Sequence, residues 1–366
     1  MNELKKYIDE EIESGIPYLD VIAHKEHEEL YRYYNGKEGS DGKENLFLYS
    51  CSKPLTVATA IKLVEEGKLN LDTPVEDIIP AFGDVYLEKN GVRRAPKTKP
   101  TVRHLFTMTA GLTYNGAMYP MAEAYENRQD KTPTLAIVES FTKAPLMSEP
   151  GETFRYSLCH DALGAVIEVV SGMKFSEYMK KVILDPLGMS KTYFSNTKNE
   201  SVAAQFIADS EGNINPLEKA NALVYYDGYE SGGAGLISTV EDYAKFGAML
   251  ASGGLAPDGR RVLSEESVKA LWEKQLSSVS VESGFTCVQG TEYGYGLGVR
   301  TRTEPTEWGL PVGEFGWDGA AGTYLMVDPV NKISVVIGMH VRNWPVVFRG
   351  KHLEIVKHLY RIFGVK

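Results

Sequence analysis

Cysteine is scarce in this chain: Cys51, Cys159 and Cys287 are the only three among 366 residues. An odd count without a close pair excludes a complete disulfide framework and a cysteine metal site, so buried, reduced thiols are expected. Long apolar runs are missing too; none approaches the ~18 residues that a membrane-spanning helix needs. The opening segment Met1-Asn2-Glu3-Leu4-Lys5-Lys6-Tyr7-Ile8 lacks the apolar core and cleavage site of a secretion signal. It reads instead as an amphipathic helix, and a cytoplasmic location is the expectation. Positive charge is in deficit. With 39 Lys and Arg against 49 Asp and Glu, the formal net charge is -10, which argues against a nucleic-acid backbone or an anionic membrane as partner. Internal repeats and low-complexity segments are absent as well.

What remains is an ordinary globular composition, 43% hydrophobic and 24% charged, long enough for one large domain or two intimate ones. Residues 18–23 and 29–34 read as two strands joined by a polar turn. Leu55, Ala58, Ile61, Leu63 and Val64 give a helical stripe, with Pro54 tolerated in the first turn and Gly67 as the stop. From there to about residue 220 the pattern is mostly helical, with long loops. Residues 293–299, 322–327 and 333–337 read as strands of one antiparallel sheet, and a helix from about Val347 to Phe363 follows. Strands at both ends predict an α/β (α+β) sandwich, a central antiparallel sheet flanked by helices, built from residues 1–64 and 226–366. A mainly helical domain, residues 65–225, is inserted, with the active site at the seam.

The chemistry gathers around Tyr49-Ser50-Cys51-Ser52-Lys53-Pro54. Ser50 and Lys53 stand three apart, which puts both side chains on one face of a helix start. A serine hydroxyl is a weak nucleophile until a base takes its proton, and a lysine serves only if its pKa falls well below about 10.4. The spacing is common, so the reading depends on partners elsewhere. One is Tyr156, which ends the turn at residues 149–157 just before an apolar helix; a phenol near an ammonium can relay a proton. Another is the stretch at residues 314–322, which contains Trp317-Asp318-Gly319 and whose small residues mark an edge against which a substrate can lie. The backbone N–H of Ala320 can join that of Ser50 as an oxyanion hole. Tyr114, Tyr229, Tyr225 and Glu152 are candidate cleft-lining residues. His160, four residues after Tyr156, is a candidate to face the site and tune it, the alternative being a helix-start histidine bonded to backbone. The glycine run at residues 231–235 lacks the Lys-Ser/Thr of a phosphate loop.

In this combination the chain resembles the serine β-lactamase and penicillin-binding protein superfamily, in particular its class C β-lactamase, D-amino-acid peptidase and esterase branch. The matching text runs from Lys53-Pro54 through Gly67-Lys68-Leu69-Asn70-Leu71-Asp72-Thr73-Pro74, Val102-Arg103-His104-Leu105 and Pro150-Gly151. It continues at Tyr156-Ser157, Asp185-Pro186-Leu187-Gly188-Met189 and Gly232-Gly233-Ala234-Gly235-Leu236. The resemblance implies a β-lactamase/transpeptidase-like fold, Ser50 as the acylated nucleophile, Lys53 as its proton partner and Tyr156 as the catalytic tyrosine. It implies no metal, no cofactor and a small-molecule ester or amide substrate; the oligomeric state is left open. Two departures narrow it. Leu158 stands where the family's Tyr-x-Asn motif has its amide, and Trp317-Asp318-Gly319 stands where Lys-Thr-Gly or His-x-Gly would supply a cation. Both turn the expectation from carboxylate-bearing antibiotics and peptides toward uncharged or apolar esters. A β-lactamase or D-alanyl-D-alanine carboxypeptidase is the alternative enzyme reading, and a non-catalytic sensing module the alternative outside enzymes.

Overall fold

The computed structural model describes residues 2–36, 42–195, 202–217, 226–276, 280–281, 292–342 and 350–365. Helix α1 (Asn2–Glu13) leads into strands β1 (Tyr18–Lys25) and β2 (Glu28–Gly36). The helices that follow include α2 (Ser52–Glu65), α3 (Val102–Phe106), α4 (Pro133–Ser140), α5 (Cys159–Ser171), α6 (Val240–Ala251) and α7 (Glu265–Trp272). A meander of β3 (Tyr293–Tyr295), β4 (Arg300–Arg302), β5 (Phe315–Asp318), β6 (Tyr324–Asp328) and β7 (Ile333–Gly338) comes next, then α8 (His352–Phe363). The sheet has the order β3-β4-β5-β6-β7-β1-β2, antiparallel throughout. The N-terminal strand pair therefore completes a sheet whose other strands lie some 250 residues or more away in sequence, with Asp20 opposite Gly338.

The period-two alternation of the strands decides what each face touches. Leu19, Val21, Met326, Val335 and Ile337 pack with Leu4 and Ile8 of α1 and Ile355, Val356 and Leu359 of α8. Tyr18, Ile22, Leu325, Val327 and Val336 face the opposite way, into the cluster shared with α2, α5 and α6. A one-residue slip of β1 would exchange these two sets, so the register is fixed by both cores. Helix α2 is buried without a break from Ser52 to Ile61. The sequence suggests a single apolar stripe, but small residues such as Thr56, Ala58, Thr59 and Ala60 let neighbours close on every side. The helix ends at Gly67, whose φ of +66° suits glycine, and α5 ends likewise at Gly172, φ +68°. Ser264 caps α7 by accepting the Ser267 N–H.

The segment read as one strand over residues 293–299 is instead broken. Gly298 turns at φ +86°, and its missing side chain leaves room for Val57, whose Cγ1 a Cβ would approach to 2.3 Å. Beyond it lies β4, whose arginines hide its strand character from the sequence. Arg300 and Arg302 are buried here, paired with Glu314 at 3.3 and 3.6 Å. Residues 347–349 of the last expected helix lie outside the described residues. Among the described residues no helix is long and apolar enough to cross a membrane. Cys51 and Cys159 are free and buried; Cys287 lies outside the described residues.

Candidate active site

The turn that delivers Ser50 starts from Tyr49, a bulky residue at φ +47°. That left-handed conformation is costly for an aromatic residue, and here it is held from several sides. The Tyr49 ring is buried, its phenol bonds Gln205, and the Arg342 guanidinium lies 5.4 Å from its ring centre. Tyr243 donates to the Cys51 carbonyl at 2.7 Å, Ser52 Oγ accepts the Leu236 N–H at 3.1 Å, and Thr56 Oγ1 donates to the Gly232 carbonyl at 2.7 Å. The start of α2 is thereby tied to α6 and to the glycine run.

Ser50 Oγ sits between the two predicted partners. Tyr156 Oη donates to it at 2.7 Å, and Lys53 Nζ lies 3.3 Å away. Lys53 is fully buried, and burial lowers its pKa from 10.5 to about 7, with Asp161 opposing that fall. Its ammonium or amine group contacts Tyr114 Oη at 2.9 Å and the Gly233 carbonyl at 2.6 Å. A neutral amine has two N–H bonds, and these two acceptors take both, which leaves the lone pair for Ser50. Lys53 also lies over the rings of Tyr156 and Tyr114, 4.5 and 5.4 Å from their centres. Trp317 stacks on Tyr156 with centroids 5.6 Å apart and donates its indole N–H to Tyr156 Oη at 3.2 Å.

The tripeptide from Trp317 to Gly319 divides by face. Trp317 looks toward Ser50. Asp318, one residue on, looks away: its carboxylate meets Arg300 at 3.5 Å and His352 at 3.8 Å on the far side of the sheet. The expectation that Asp318 lines the substrate site is corrected by the pleat itself. Gly319 has a steric reason. A Cβ there would fall 2.4 Å from the Leu48 carbonyl, so glycine lets this edge close on the Ser50 turn. The Cys51 thiol spans the same junction, 3.5 Å from the Trp317 carbonyl and 3.4 Å from that of Thr323. Ala320 is exposed in the turn between β5 and β6, where Gly322 N–H bonds back to Gly319.

Tyr114 and Tyr229 both line a cavity of about 470 Å³ beside the Ser50 site, along with Tyr119, Met121, Leu158 and Tyr226. Tyr114 is its wall toward Lys53. Glu152 is exposed, and Tyr225 lies outside the described residues. His160 takes the backbone-bonded alternative and does not face the cleft. Its Nε2 lies 3.2 Å from the Phe106 carbonyl, and burial, with the nearby Lys53 charge, holds its pKa down to about 3. The ring is therefore neutral and spent on α3. His340 accepts the Phe47 N–H at 3.1 Å.

Two features were not drawn from the sequence. The glycine run supplies the Gly233 carbonyl that holds Lys53, and Asp161 is a fully buried carboxylate beside it. The available signal for the second was an acid inside the apolar helix α5, which needs a partner wherever it is buried.

A serine flanked by a buried lysine and a tyrosine, seated between an antiparallel sheet and a helical layer, is the arrangement of the β-lactamase and penicillin-binding proteins. The chain belongs to the beta-lactamase family, whose model matches residues 19–358. It is similar to esterase EstB of Burkholderia gladioli, 27% identical over 353 residues, covering 87% of this chain and 84% of EstB. It is also similar to a putative D-alanyl-D-alanine carboxypeptidase of Escherichia coli, 26% identical, covering 92% of this chain and 81% of that protein. Among solved structures, EstCE1, a hydrolase with promiscuous acyltransferase activity, matches in fold with a TM-score of 0.78 at 23% identity, covering 98% of each chain.

Proposed function

We propose that this protein is a serine hydrolase that forms an acyl-enzyme on Ser50 and acts as an esterase on small molecules with uncharged or apolar acyl groups. The observation that carries the reading is the convergence of Tyr156 Oη and Lys53 Nζ on Ser50 Oγ, at 2.7 and 3.3 Å. In this mechanism Ser50 Oγ bonds to the ester carbonyl carbon and its proton passes to neutral Lys53. The carbonyl oxygen takes the negative charge, held by the backbone N–H groups of Ser50 and Ala320. Collapse breaks the bond to the leaving alkoxide, which takes the Tyr156 proton and departs as an alcohol. Lys53 then returns its proton to Tyr156. Water deacylates by the same path, giving an acid and free Ser50.

The choice of esterase over β-lactamase or carboxypeptidase rests on three features. Trp317 occupies the place of a carboxylate-binding cation, Leu158 that of an amide, and the adjoining cavity is walled by tyrosines, Met121 and Leu158. The similarity to EstB points the same way, while the similarity to the putative carboxypeptidase supports the alternative. Assaying a short-chain p-nitrophenyl ester and a chromogenic cephalosporin in parallel, with Ser50→Ala as control, separates them. Ester turnover that vanishes in the variant is expected. Cephalosporin turnover alone would replace the esterase reading with a lactamase one.

A further inference from the structure

The mechanism above leaves one buried acid unused. Asp161 lies in the first turn of α5 and is 1% exposed. Its Oδ1 accepts from Tyr229 Oη and from Ser231 Oγ, each at 2.6 Å. Ser231 Oγ in turn accepts the Ala234 N–H at 3.2 Å, and the Ser231 carbonyl accepts the Gly235 N–H at 2.9 Å. Those bonds shape the turn from which the Gly233 carbonyl reaches Lys53 Nζ. Oδ2 faces the Cα of Gly233, so near that a Cβ on Gly233 would come within 2.5 Å of it and 3.1 Å of Tyr114 Oη. The glycine thus brings a carboxylate up to the pair that holds the lysine.

We propose that Asp161 is the positioning residue of this site: it fixes the Gly233 carbonyl against Lys53 and supplies the counter-charge for the ammonium formed when Ser50 gives up its proton. The proposal rests on the acyl-enzyme reading and assigns the partner of its base. Apart from Tyr156, which relays the proton, the other titratable groups against Lys53 carry no counter-charge. Burial holds the thiols of Cys51 and Cys159 protonated, that of Cys159 with its pKa at about 11. The same cause keeps His160 neutral and raises the Tyr114 phenol well above its ordinary value. Tyr156 meets Lys53 through its ring. Burial raises the Asp161 carboxyl, while its two hydroxyl donors and Lys53 work against that rise. A lysine taken into the interior without such a partner would hold its proton more weakly still.

The test is the rate of fluorophosphonate labelling of Ser50 from pH 5 to 9 in the full chain, for the parent, Asp161→Asn, Asp161→Glu and Tyr229→Phe. The parent rate is expected to rise through about pH 7, the value to which burial lowers Lys53. Asp161→Asn is predicted to move that rise down by on the order of one pH unit and to lower the plateau at least about tenfold. Asp161→Glu and Tyr229→Phe keep the charge, so they lower the plateau and leave the rise where it is. Near-UV circular dichroism checks folding, and Asp161→Ser replaces Asp161→Asn if that variant does not fold. A labelled parent whose pH profile is unmoved by neutralising Asp161 overturns the proposal. A parent that is not labelled at all overturns the acyl-enzyme reading beneath it.

Discussion

Lys53 is the residue on which chemistry and stability pull against each other. It is buried beside Ser50 with its pKa lowered to about 7, so below that pH it is a charged group in the interior. Between about 7 and 10.5 the folded protein holds fewer protons at this position than the unfolded chain, and stability from Lys53 rises with pH through that window. Below about pH 7 its cost is fully present. Lys53→Met removes the dependence. The unfolding free energy of the variant relative to the parent is therefore predicted to be higher at pH 6 than at pH 10, by on the order of a few kcal/mol. Calorimetry at the two values checks it, and an equal difference at both would contradict the buried charge. Activity follows the same group with the opposite benefit: kcat/KM is predicted to climb as pH rises through about 7, where neutral Lys53 becomes available, and Lys53→Met is predicted to lose about a thousandfold or more.

At the scale of elements, β5 and the turn that follows it are the working part of the sheet. Its alternation sends Trp317 to Tyr156 and Asp318 to Arg300, and Gly319 lets the edge meet the Ser50 turn. Trp317→Phe keeps the stacked ring but removes the indole donor, and is predicted to lower kcat by about tenfold or less with little change in melting temperature. Gly319→Ala is predicted to cost about 1–3 kcal/mol of stability and most of the activity, because a Cβ 2.4 Å from the Leu48 carbonyl must push the edge off the turn. Unchanged turnover in that variant would contradict the close approach. These elements also mark what the sequence made legible. Ser50, Lys53 and Tyr156 could be brought together from 106 residues apart because their motifs, the Ser-x-x-Lys spacing entering α2 and the tyrosine turn before α5, resemble one family's text in its order. Trp317 and Asp318 could not be told apart, since which face of a strand looks at the site depends on a register that only the folded sheet defines. His160 takes the backbone-bonded alternative, since the spacing that would aim it with Tyr156 needs a continuous helix and α5 begins at Cys159.

At the scale of the molecule, both faces of the sheet are covered, and the site lies on only one of them. The opposite face holds a buried charge cluster in which Arg300 and Glu314 are 4% and 0% exposed, with Arg302 and Asp318 beside them. Charged residues read as surface in a sequence, which is why β4 was not foreseen while the apolar strands β6 and β7 were. Arg300→Met leaves buried Glu314 with Arg302 alone and takes the guanidinium from partly buried Asp318, and is predicted to cost about 3–5 kcal/mol, measured by urea unfolding. The overall sandwich was legible because apolar, β-branched runs stand at both ends of the chain, as strands covered on both faces require; the glycine run was not, because its value lies in a carbonyl that contacts Lys53 from 180 residues away.

The most direct test of the central claim is intact mass spectrometry of the protein after brief exposure to a short-chain p-nitrophenyl ester and acid quenching. The prediction is one added acyl group, localised by peptide mapping to Ser50 and absent in Ser50→Ala. Turnover with an adduct on another residue, or no adduct with either the ester or a fluorophosphonate, would contradict it.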